Sequence, residues 1–155
     1  MEIRSLKALE KHLKEQIQDV LQNEVLEQVR KTELEAIDDI VYGAGTPKVY
    51  QRRKNDLGLS DPGNMIPLMT DDGMTLQVHN MTAFNKEYGT ENQGMGLDEL
   101  VEYGDGGGGF QYDYGLGWWS HARPFTQETI DRLNNSKEHL DQLWAGLRRR
   151  GIHVK

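Results

Sequence analysis

The sequence has no cysteine, which removes disulfides, thiolate metal sites and cysteine nucleophiles together. Apolar residues make up only 36% of its 155 residues, and the mean hydropathy is -0.74. Both are low for a chain that buries all of its apolar surface by itself, so association with copies or partners is expected. No run approaches the ~20 apolar residues of a membrane span, and the charged start lacks the apolar core of a signal peptide. A soluble, intracellular product with no membrane partner is the expectation. Proline is scarce too, with four in all, and neither proline nor glycine occurs before Gly43. That absence leaves residues 1–42 free to run as helix.

Charge is present but unevenly spread. The formal net charge is -7, with -4 over residues 1–42, +4 over 43–55, -9 over 56–124 and +2 over 125–155. A protein that grips nucleic acid along its surface shows a broad positive footprint, and this chain has instead two short basic clusters, Arg52-Arg53-Lys54 and Arg148-Arg149-Arg150. With Tyr50 beside the first, these residues are candidates for contact with acidic surfaces of neighbouring copies, for example Arg52, Arg53 and Lys54 against the 97–105 region.

The apolar periodicity gives an α+β chain, read as a single domain over 1–155. Ile3, Leu6, Leu9, Leu13, Ile17, Val20, Leu21, Val25, Val29, Leu34, Ile37, Ile40 and Val41 recur at steps of three, four or five, the spacing of a long amphipathic helix. A break near 30–32 is expected, with Thr32 and Glu35 as a capping box. The helix is expected to pack against a sheet, with a coiled coil as the rival. Pro47, Gly58 and Asp61-Pro62-Gly63 make 43–63 an extended arm punctuated by turns. Two apolar runs around Asp71-Asp72-Gly73 predict an antiparallel hairpin over 65–82, with Pro67 on an edge. Flexible loops are expected at 83–96 and 104–113, flanking a short helix or turn at 97–104. A C-terminal helix spans 124–150, with Pro124 in its first turn, a weak point at Asn134-Asn135-Ser136 and a restart capped by Asn135.

Catalytic chemistry is sought and mostly not found. Gly104-Asp-Gly106-Gly-Gly-Gly109 formally fits G-x-G-x-x-G but lacks the strand before it, the helix directly after it and any following Lys-Ser/Thr. Ser120 and His121 are adjacent, so on extended chain they face opposite sides. The five histidines are scattered, with no pair at i, i+4. Asp38-Asp39, Asp71-Asp72 and Asp98-Glu99 read as solvated surface or turn. The expectation is a non-enzymatic protein without metal or cofactor. Trp118-Trp119 among glycines points to burial in the core or at a subunit interface, where tryptophan is enriched.

Several segments together resemble a known family. Val41-Tyr42, Pro47-Lys-Val-Tyr50-Gln-Arg52-Arg53, Gly58-Leu59, Asp61-Pro62, Glu102-Tyr103-Gly104 and Arg123-Pro124-Phe125, closing on Gly-Leu-Arg-Arg-Arg-Gly-Ile152, are similar to small neck or tail-completion proteins of long-tailed phages and prophages of Gram-positive bacteria. These minor structural proteins sit at the head-tail junction. The resemblance implies a small α+β fold, ring-like assembly with copies of itself, and contact with other neck or tail proteins, with DNA at most passing nearby. It also implies a place in the virion, and in the host bacterial cytoplasm during assembly. The alternative from another class is a phage-encoded interaction protein that binds a host or defence factor.

Overall fold

Ser5 opens the first helix, its hydroxyl accepting the amide of Ala8 at 3.2 Å. The computed structural model describes residues 5–44, 53–83, 96–104 and 121–153. Helix α1 (Leu6–Val20) passes through one widened turn (Leu21–Val25) into α2 (Leu26–Ala36), and a second widened turn (Ile37–Tyr42) ends the run. The result is one long helix from Leu6 to residue 42, about 55 Å at the usual rise. In the widened turns amides reach back five residues, as Leu26 does to the Leu21 carbonyl and Gly43 to that of Asp38. The buried face takes a five-residue spacing across each of these turns. Val20 and Val25 are buried on either side of the first widened turn, and Ala36 and Val41 across the second. Each extra residue keeps the buried face in phase with its neighbours.

The break expected near 30–32 is absent, because these residues are held by side-chain contacts within an intact helix. The Thr32 hydroxyl donates to the Gln28 carbonyl at 3.0 Å instead of capping a new start. Arg30 donates to the carbonyl of Met65 at 3.0 Å and ties the helix to the sheet.

Strands β1 (Met65–Met69) and β2 (Leu76–Asn80) form the expected antiparallel hairpin, paired from Met65–Asn80 to Met69–Leu76. Pro67 is exposed opposite Val78, so its missing amide proton interrupts nothing in the interior. The turn packs Gly73, at φ +68°, against Gln18 of α1, where a Cβ would overlap the amide side chain. Of the arm expected over 43–63, residues 53–63 are tight turns rather than extended chain. Asp61 organises them by accepting the amides of Leu57 at 2.9 Å and Gly63 at 2.8 Å. Of the loops expected at 83–96 and 104–113, only Ala83, Gly96 and Gly104 lie within the described residues.

Helix α3 (Leu97–Tyr103) ends at Gly104 with φ 70°. The C-terminal helix expected over 124–150 is two helices, α4 (Phe125–Ser136) and α5 (Glu138–Arg149), joined at Lys137 in the left-handed conformation, φ 59°. The weak point falls two residues beyond Asn135, which caps nothing. Pro124 precedes the first turn of α4 rather than lying within it.

Both C-terminal helices run back along the long helix, so its main cover is helical and the sheet covers only part of α2. Two apolar clusters result. One gathers Ile37, Val41, Leu59, Met65, Val101 and Phe125 at the C-terminal end of the long helix. The other gathers Val20, Val25 and Leu147 under α5. The helices approach closely at Gly146, where an added Cβ would lie 2.6 Å from a methyl of Val20.

Candidate functional site

The buried carboxylate of Glu33 marks the most constrained polar site among the described residues. Glu33 sits at a core-facing position of α2 and is 6% exposed. Asn80, at the end of β2, donates to it at 2.9 Å and to the Leu59 carbonyl at 3.0 Å. Asn80 also accepts the Thr82 hydroxyl at 2.6 Å, so one amide side chain joins helix, hairpin and turn. Burial pushes the Glu33 carboxyl up, and the nearby negative charges of Asp98 and Glu102 add to the effect. Asp98, in the first turn of α3, is pushed up to about 6, chiefly by burial and then by Glu99.

Glu102 closes the same wall. Its carboxylate accepts the amides of Thr126 at 2.8 Å and Gln127 at 3.4 Å, so α3 caps the N-terminus of α4 from outside. Glu33, Asp98, Glu99 and Glu102 border a cleft of about 380 Å³ whose other walls are mainly apolar, from Val29, Leu76, Val78, Ile130 and Leu133, with His79, Asn80, Thr126 and Thr129 among them. The cleft is acidic at the α3 end and greasy toward α4 and the hairpin. Its chemistry suits a segment carrying both basic and aliphatic side chains. Among the described residues no group of three or more histidines and carboxylates has the geometry to hold a metal.

Of the candidate interface residues, Tyr50, Arg52, Trp118 and Trp119 lie outside the described residues. Arg53 donates to the Ala83 carbonyl at 2.7 Å, and the Lys54 ammonium lies 5.4 Å from the centre of the Tyr42 ring. These two cations therefore engage their own chain.

The C-terminal arginines divide. Arg148 is exposed. Arg149 donates to Glu24 at 2.9 Å. Arg150 reaches Glu24 at 2.8 Å, the Gly146 carbonyl at 3.0 Å and Asp19. Arg149 and Arg150 thus clasp the chain's own helix, with the Arg149 side chain still 57% exposed. Their partners are more than 120 positions away in sequence, which is why reading the cluster locally assigns it outward. Burial pushes the Glu24 carboxyl up, but hydrogen bonds from Arg150 and Arg149 outweigh it and hold the group below its ordinary range.

His121 is exposed, while Ser120 and most of the glycine run lie outside the described residues. Sequence reasoning missed Glu33, Asn80, Asp98 and Glu102. The available signal was Glu33 itself, a charge three to four residues from Val29, Ile37 and Ala36 on the apolar face. Asp98 breaks the solvated reading of its acid pair, whereas Asp38 and Asp39 keep it.

Among the described residues no helix is long and apolar enough to cross a membrane. The described fold is therefore a class of small α+β protein in which one long helix is backed by a helical pair and a two-stranded hairpin, with a carboxylate-bordered cleft between them. A family model described as YomN matches residues 5–149, and the chain belongs to the YomN family. This makes it a phage-associated protein. No curated protein matches the chain, and no solved structure does.

Proposed function

We propose that this phage-associated chain is a non-enzymatic structural protein of the head-tail junction, in the neck or in tail completion, and that it acts by ring-like assembly of copies. The observation that carries the reading is the free end of the long helix. Leu6 is 85% exposed and Leu9 37% exposed on the same face that Ile17 and Val20 bury lower down. A helix that keeps its apolar face beyond the end of its cover is built to meet another surface. A ring needs two different patches per copy, and an apolar helix end with an acidic cleft provides two.

The test is the solution mass by light scattering from low to high micromolar concentration, with negative-stain images of the largest species. A closed multimer with an axial opening is expected, and it should bind purified neck or tail proteins of the same phage. A second reading, an interaction protein directed at a host or defence factor, is favoured by the acidic cleft, which fits a basic segment of another protein. A chain that stays monomeric and ignores phage neck and tail proteins would sink the junction reading in favour of the second.

A further inference from the structure

We infer that the N-terminal turns of α1 in one copy seat in the acidic, half-apolar cleft of the next copy; this deepens, and rests on, the assembly reading above. Leu6, Leu9, Leu13 and Ile17 follow one another at i, i+3, i+7 and i+11, a single stripe. The stripe is progressively uncovered toward Leu6, because α5 ends at Arg149 and Arg150 is clasped to Asp19 and Glu24. Beyond that clasp the hairpin turn approaches at Gln18.

The charges beside the stripe are complementary to the cleft. Residues 5–15 hold Lys7, Lys11 and Lys14 against Glu10 and Glu15. Lys11 and Lys14 pair with Glu15 at 3.8 Å and Glu10 at 3.3 Å, exposed contacts of the weak i, i+4 kind. Lys7 has no ion pair among the described residues, and lies seven residues from Lys14 on one flank of the stripe. The cleft offers the exposed Glu99 beside Glu102, with Ile130 46% exposed at its apolar rim. Basic and aliphatic side chains on one element thus face acidic and aliphatic ones on the other.

The contact cannot form within one chain. Val29 and Glu33 wall the cleft, and from Leu9 to Val29 the helix runs unbroken for about 30 Å at its ordinary rise. The stripe and the cleft of one copy are held apart by the same rigid rod. A stripe entering a cleft must come from another copy, and since the two patches differ, the contact is heterologous and propagates into a ring or a filament.

Two full-length double variants test it, each altering only exposed positions: Leu6→Glu with Leu9→Glu disables the stripe, and Ile130→Lys with Glu99→Lys disables the cleft. Circular dichroism melts check folding, and Leu6→Ser with Leu9→Ser replaces the glutamate pair should that pair melt early. Mass is read by light scattering. Each variant alone is expected to fall to one copy. An equimolar mixture is expected to form a 1:1 dimer and stop, since one intact stripe meets one intact cleft. The wild-type assembly is expected to weaken several-fold between 0.1 M and 0.5 M salt.

If the parent assembles and both variants assemble equally well, this contact is overturned while the ring reading survives. Variants that are both monomeric but fail to pair when mixed overturn it, and a cleft variant that still self-associates while the stripe variant does not overturns it in favour of stripe-to-stripe contact. A parent that is monomeric at every concentration overturns this contact and the self-assembly reading together.

Discussion

Gly146 shows how much one missing side chain decides. It lets α5 approach the first widened turn of the long helix, where a Cβ would lie 2.6 Å and 3.1 Å from the two methyls of Val20 and 3.3 Å from the Glu24 carboxyl carbon. Gly146→Ala gains up to about 1 kcal/mol of helix propensity but overpacks a rigid contact at a cost of about 1–3 kcal/mol. A net loss of about 1 kcal/mol is expected from urea denaturation, and a gain would mean that the helices slide apart freely. Asp98 works through protons. Its carboxyl titrates near 6 in the folded chain against an ordinary 3.8, so the folded state holds the proton more tightly than the unfolded one. That preference makes stability fall as pH rises from about 4 to about 6 and level off above. Asp98→Asn removes the loss. It should be more stable than the parent by about 1–2 kcal/mol at pH 7–8, a figure reduced from the full shift for the solvent that still reaches the group. The difference should vanish below pH 4, and denaturation across pH 4–8 reads it. Glu33, also raised by burial, stays in both proteins, but its rise is smaller in the variant because the Asp98 charge contributes to it.

At the scale of elements, the ends of helices carry most of what local sequence does not say. The N-terminus of α4 follows Pro124, which offers no side-chain cap, and Glu102 of α3 supplies the acceptor from 24 residues upstream. Glu102→Ala should cost about 1 kcal/mol, the usual worth of a cap, and lower the melting temperature by about 2–4 °C. Glu102→Gln, which still offers an oxygen to Thr126, should lose less; equal losses in the two would show that charge rather than the hydrogen bond matters. The long helix itself was legible in the residues, from apolar positions recurring at helical spacing. The position of its irregularities was not. Thr32 and Glu35 look like a capping box, yet the helix continues because tertiary contacts from Arg30 and Gln28 hold that stretch. The widened turns fall instead where the buried face must shift to meet α5 and the first apolar cluster.

Over the whole molecule, one rod organises two apolar clusters and leaves its first turns outside both. Deleting residues 1–12 should therefore leave the fold nearly intact, within about 1 kcal/mol by thermal or urea melting, while abolishing self-association. A large loss of stability would show that these turns belong to the core. What the sequence determined by itself was the α+β class, the long helix, the hairpin, and helix toward the end of the chain, all of which follow from local periodicity and turn chemistry. The likeness of several short segments also led to a phage protein before any fold was drawn. Only the tertiary structure decided that α5 folds back along the long helix, that Arg149 and Arg150 pair there with Glu24 and Asp19, and that Glu33, Asp98 and Glu102 meet beside Asn80. Those pairings join residues far apart in the chain, and charge type alone cannot choose among many equally good partners. The choice is made by packing, since burying the apolar faces of α4 and α5 along the rod sets which side chains are left opposite one another.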